Sequence, residues 1–134
     1  EIRQHGREVK ANPDYFDGWI QLGILKKNIG DYEGARDAWQ YAGVIRPKNV
    51  ISFANLGELY TGYVKDFAKA EANFRIAIRN KPDDLALYVS LADLYLSYPG
   101  KESSAIAILQ EGLAVAPDDE NLKRILAAVD EELK

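Results

Sequence analysis

The 134-residue sequence contains no cysteine and no methionine, and it has a single histidine, His5. Without cysteine there can be no disulfide framework, thiolate metal site or thiol nucleophile, and the single His5, with no second ligand or nucleophile near it in sequence, leaves almost nothing for a histidine-built metal site or a Ser-His-Asp triad. Basic excess is also missing. Seventeen Lys and Arg stand against 21 Asp and Glu, a net charge of −4, which argues against a phosphate backbone as partner, so no nucleic acid is expected. No apolar run approaches the ~18 residues that cross a bilayer, and no basic start followed by an apolar run marks a signal peptide, so direct membrane insertion is not expected either. Glycine-rich phosphate loops are absent: Pro99 and Gly100 form only a turn, and Lys101 lacks the upstream glycine of a P-loop. No cofactor is expected. The chain begins at Glu1, and we expect a soluble segment of a longer protein, with a cytoplasmic setting as the default.

What is present is apolar residue in plenty, 47% of the chain, enough for a packed core. It is arranged periodically. Pro13, Pro47, Pro82 and Pro117 lie 34, 35 and 35 residues apart, each followed within two positions by Asp or Asn, so each marks a helix break and then a helix start. Between the prolines three series recur in order: Trp19, Phe53, Tyr88; Leu22, Leu56, Leu91; and Gly23, Gly57, Ala92. A second set follows: Ala35, Ala70, Ala105; Trp39, Phe74, Leu109; and Ala42, Ala77, Gly112. The first set puts bulk and a gap on one helical face, and the second puts small, large and small residues on another. Two helices per unit can therefore pack closely as a hairpin. The first-set markers of units one and two are 34 apart and the second-set markers 35. The extra residue must lie between Tyr60 and Ala70, in the turn.

The ends differ from the middle. After Pro117 the stretch 118–134 carries Leu122, Ile125, Leu126, Val129 and Leu133 on one stripe, with charged residues opposite, as a terminal capping helix requires. Residues 1–12 have the length of one helix but carry Glu1, His5 and Glu8 where full units have small, large and small residues. The acidic pairs Asp83-Asp84 and Asp118-Asp119 follow prolines and are expected to cap helix N-termini.

The order aromatic, Leu-Gly, Tyr, Ala, aromatic, Ala, Pro on this period resembles the tetratricopeptide repeat. Unit one supplies Trp19, Leu22, Gly23, Gly30, Tyr32, Ala35, Trp39, Ala42 and Pro47; unit two supplies Phe53, Leu56, Gly57, Tyr60, Phe67, Ala70, Phe74, Ala77 and Pro82. Unit three supplies Tyr88, Leu91, Ala92, Tyr95, Ala105, Leu109, Gly112 and Pro117. Lys26 stands where Tyr60 and Tyr95 stand later, which is expected to loosen the packing between the first two units. The period also suits the pentatricopeptide repeat, an RNA reader, but that family needs a basic groove and lacks the Leu-Gly and closing Pro. The tetratricopeptide resemblance implies an all-α, right-handed superhelical solenoid of antiparallel helix pairs. Its parts would be an N-terminal helix at 1–12, repeats at 14–47, 48–82 and 83–117, and a capping helix at 118–134, forming one domain with no enzymatic activity. It also implies a concave groove, lined by the first helix of each pair, in which the family usually binds peptides.

The packing series occupies one side of each first helix, so the other side should face that groove. The residues expected there are Asp17, Ile20, Ile24, Lys27 and Asn28; then Ile51, Ala54, Asn55, Glu58 and Thr61; then Ala86, Val89, Ser90, Asp93, Leu96 and Ser97. Ile20, Ile24, Ile51, Val89 and Leu96 are apolar without being required by the repeat. They either pack against neighbouring helices or form the floor for a peptide, with Asp17, Glu58 and Asp93 favouring basic flanks. The family's best-known groove chemistry is a Lys, Arg and Asn clamp on a chaperone's terminal carboxylate. The corresponding places here hold Ile20, Ile24, Asn55, Ala86 and Ser90, and only Asn55 matches, so such tails are disfavoured. The expected function is a scaffold binding a protein or peptide partner, the alternative being an assembly module that stacks on further repeats or self-associates.

Overall fold

The computed structural model describes residues 15–133, and among them are seven helices and no strand: α1 (Phe16–Asn28), α2 (Tyr32–Ile45), α3 (Ile51–Gly62), α4 (Phe67–Asn80), α5 (Leu85–Leu96), α6 (Glu102–Val115) and α7 (Glu120–Leu133). The expected helix at 1–12 lies outside the described residues. Each helix packs on its neighbours in the chain, most extensively within the hairpins α1/α2, α3/α4 and α5/α6, and α7 closes against α6. The result is an all-α solenoid.

Packing inside the first two hairpins is set by a glycine facing an aromatic ring. A Cβ added at Gly57 would come within 2.7 Å of the Phe74 ring, and one at Gly23 within 2.5 Å of the Trp39 indole. Only a residue without a side chain lets those rings seat. Trp39 is 2% exposed and its Nε1 donates to the Ile20 carbonyl at 3.1 Å, so the indole is both buried and satisfied. Ala35, Ala42, Ala70, Ala77 and Ala105 are fully buried around these large residues.

Helix starts are chemically specific. Asp31 accepts from Gly34 N at 2.8 Å, Asp66 from Lys69 N at 3.1 Å, and Asp119 from Leu122 N at 2.9 Å. Asn49 accepts from Ser52 N at 2.7 Å and donates to Ser52 Oγ at 2.8 Å, which satisfies a fully buried hydroxyl. The expectation for Asp83-Asp84 is corrected, because Asp84 stands at the N-cap of α5 without a side-chain cap bond. Turns repeat as well. Gly30 (φ 84°), Lys65 (φ 59°) and Gly100 (φ 83°) hold one left-handed position in the three hairpins. The loop at 63–66 is one residue longer than that at 29–31, where the spacing required the insertion.

Between hairpins, the tyrosines reach backwards. Gln40 Nε2 donates to Tyr60 Oη at 3.4 Å, and Tyr95 Oη donates to Glu71 while Arg75 approaches it at 3.5 Å. Arg75 continues to Glu111 at 3.3 Å, tying α4, α5 and α6 together. This corrects the reading of Lys26. Its position faces the preceding side, so the junction of the first two hairpins has its own tyrosine, Tyr60, and Lys26 turns to Asp31 at 3.5 Å. The stripe on α7 buries Leu122 and Val129 at 0% and 4% exposure, with Ile125 and Leu126 packed against the core. Leu133, expected on that stripe, is 51% exposed and does not join it.

Candidate functional site

The first helices α1, α3 and α5 place homologous positions side by side, so a row of unlike side chains runs across the hairpins. At one level stand Asp17, Ile51 and Ala86, all exposed; at another Ile24, Glu58 and Asp93. Ile51 is 53% exposed and Leu96 37%, so both present apolar surface to solvent. Asn28, at the end of α1, is exposed as well. Ile20 is different. At 6% exposure it belongs to the core, and its removal from the surface is a correction: the level it shares with Ala54 and Val89 turns toward the helix interface, where Val89 is also packed against the core.

Four of the expected residues come together in one place. Ile24 and Lys27 of α1 and Asn55 and Glu58 of α3 line a cavity of about 420 Å³, whose remaining walls are Trp39, Leu59 and Tyr63. Its floor is aromatic and aliphatic. Its rim carries one cation and one carboxylate, and Lys27 Nζ lies 5.7 Å from the centre of the Tyr63 ring. Ala86, Val89, Asp93 and Leu96 of α5 do not line this cavity and extend the row beyond it. Neither Glu58 nor Asp93 has a side-chain partner among the described residues. Asp93 sits low enough between neighbouring side chains that desolvation raises its carboxyl above the usual range. One wall of the cavity outside the helices escaped the sequence reading. Tyr63 lies in the irregular turn after α3, where no periodicity points to it.

Among the described residues no group of acidic residues and histidine could hold a metal ion, and no helix is long and apolar enough to cross a membrane. The family model described as tetratricopeptide repeat matches residues 64–129. Those residues carry tetratricopeptide repeats. No curated protein matches the chain significantly in sequence. Solved tetratricopeptide structures share its fold at low identity. MamA superposes with a TM-score of 0.79 at 19% identity, covering 98% of this chain and 75% of that one. TTC0263, a thermophilic TPR protein of Thermus thermophilus, gives 0.72 at 24%, covering 96% and 70%. The first TPR of Spaghetti (RPAP3), solved bound to the HSP90 peptide SRMEEVD, gives 0.68 at 19%, covering 86% and 92%. A tetratricopeptide solenoid is typically a non-catalytic interaction scaffold for proteins or peptides, and the comparisons support that much here.

Proposed function

We propose that the chain is a non-enzymatic interaction domain whose first helices line a concave groove for a partner polypeptide, an apolar segment flanked by Lys or Arg. In this reading 14–47, 48–82 and 83–117 are its repeats, 118–134 is its cap, and 1–12 is a leading helix. The observation that carries it is the cavity that joins Ile24, Lys27, Asn55 and Glu58 between two hairpins, continued by the exposed Asp93 and Leu96. An apolar side chain entering over Trp39 and Leu59 would lose water contact, while Glu58 and Asp93, both lacking a partner among the described residues, would meet the basic flank. An acidic tail such as the one bound in the RPAP3 structure would meet those carboxylates as like charges. The groove we propose therefore selects the opposite sign.

The test is calorimetric titration of the chain with a peptide carrying two leucines between lysines. A dissociation constant near ~10 μM is expected for a groove of this size. Glu58→Lys with Asp93→Lys should weaken binding at least about tenfold and flatten its salt dependence, and Ile51→Ser with Leu96→Ser should weaken it with the salt slope unchanged. Absence of peptide binding together with concentration-dependent self-association in sedimentation would replace this reading with the assembly role.

A further inference from the structure

On the far side of α3 from Asn55 and Glu58 lies a second cavity, of about 690 Å³, lined by Pro47, Lys48, Phe53, Ile76, Arg79 and Asn80. The repeat explains why it exists in the middle hairpin. In the first hairpin the same two levels are occupied by Trp19 and Tyr41, whose rings lie 4.5 Å apart and fill the space. In the third they are Tyr88 and Glu111, and the Tyr88 hydroxyl closes onto the Pro82 carbonyl at 2.7 Å. The second hairpin has the smaller pair Phe53 and Ile76. Phe53 also lies against Gly43 of the preceding hairpin, where an added Cβ would come within 2.9 Å of the ring. The carbonyl of Pro47, equivalent to that of Pro82, is held instead by Asn80 Nδ2 at 3.0 Å, which also bonds the Asn49 carbonyl at 2.8 Å. Asn80 thus fixes the loop that forms one wall, and the cleft stays open.

Charge distinguishes the same cleft. Lys48 corresponds to Asp83 in the next unit, and Arg79 corresponds to Val44 and Ala114. Only the middle hairpin therefore sets two cations around the space, in a chain whose net charge is −4. Both are exposed, and neither forms an ion pair among the described residues. An apolar floor of Phe53 and Ile76 between two uncompensated cations suits an apolar body flanked by negative charge.

We infer that this cleft is a second docking site, for an acidic polypeptide segment that inserts one aromatic or large aliphatic side chain between Phe53 and Ile76 and lays carboxylates against Lys48 and Arg79. It is independent of the groove across α3, which favours the opposite charge, so the domain can hold two unlike segments at once.

The probe is a fluorescein-labelled peptide with one phenylalanine between pairs of glutamates, followed by fluorescence anisotropy on the whole chain. Saturable binding is expected. Lys48→Glu with Arg79→Glu should weaken it at least about tenfold, while Lys123→Glu with Arg124→Glu on α7, which changes net charge equally, should leave it unaltered. Ile76→Tyr, which restores the filled arrangement of the first hairpin, should abolish binding with the helical circular dichroism retained; should that variant not fold, the two charge-reversal pairs decide. The proposal is overturned by absence of saturable binding, by equal loss in both charge-reversal pairs, or by undiminished binding to folded Ile76→Tyr.

Discussion

Single residues show where this chain departs from its own repeat, and the departures have consequences that can be measured. Lys65 occupies the left-handed turn position that Gly30 and Gly100 hold in the other hairpins. A residue with a Cβ is sterically strained in that conformation, while glycine loses more unfolded-state freedom, so the two effects oppose each other. Strain outweighs the entropy at φ 59°, and Lys65→Gly should stabilise by about 0.5 to 1 kcal/mol, raising the thermal midpoint by about 2 to 4 °C. An unchanged or lowered midpoint would show that the lysine side chain compensates there. Asp93 presents the other case. Its carboxyl is raised by desolvation, so the folded chain holds its proton more tightly than the unfolded chain does. Stability then falls as pH rises through the interval between the unfolded and the raised folded value, and the cost is fully present at neutral pH. Asp93→Asn should therefore unfold at higher temperature than the parent at pH 7, with the gap closing as pH drops below the carboxylate range. Equal midpoints at pH 7 would count against a desolvated Asp93.

At the scale of the helix, α7 stands apart from the others. Its buried stripe is a single line, Leu122 and Val129 with Ile125 and Leu126 beside them, and its exposed side carries Lys123, Arg124, Asp130 and Glu132. Leu122 reaches the space above Gly112, where an added Cβ would meet its Cδ1 at 3.0 Å, so α7 covers the outer face of the third hairpin. Burial of Leu122 and Val129 alone is worth about 3 to 6 kcal/mol. Ending the chain at Asp118 should remove that amount from the urea unfolding free energy and leave a species that self-associates in light scattering. A truncated chain that is monomeric and equally stable would disprove the capping role. Helix propensity explains little of this. Helix α7 shares a distinct apolar face with the second helices α2 and α4, whereas the apolar residues of α1, α3 and α5 are spread around the helix.

For the molecule as a whole, the hairpin order, the turn that takes the extra residue and the seats of Trp39 and Phe74 were legible in the sequence. The reason is that each unit must bury its large residues against small ones at a fixed helical spacing, and three units repeat that requirement in one chain. The candidate site was legible in part. Ile24, Lys27, Asn55 and Glu58 could be placed on one side of their helices by spacing alone, but spacing is blind to how far each level is rotated toward the adjoining helix. Ile20 therefore reads as surface and is core, and Lys26 reads as a weakness of the wrong junction. Which side a tyrosine at that level faces, that Tyr63 closes a cavity from outside any helix, and that Phe53 and Ile76 leave a space which Trp19 and Tyr41 fill are all consequences of contacts between units. The sequence alone determined the repeat, its period and its packing pairs, because these depend on neighbours within one hairpin. The tertiary structure decided the cavities and the exposure of their walls, because a void is a property of side chains brought together from different hairpins and no single stretch of chain contains it.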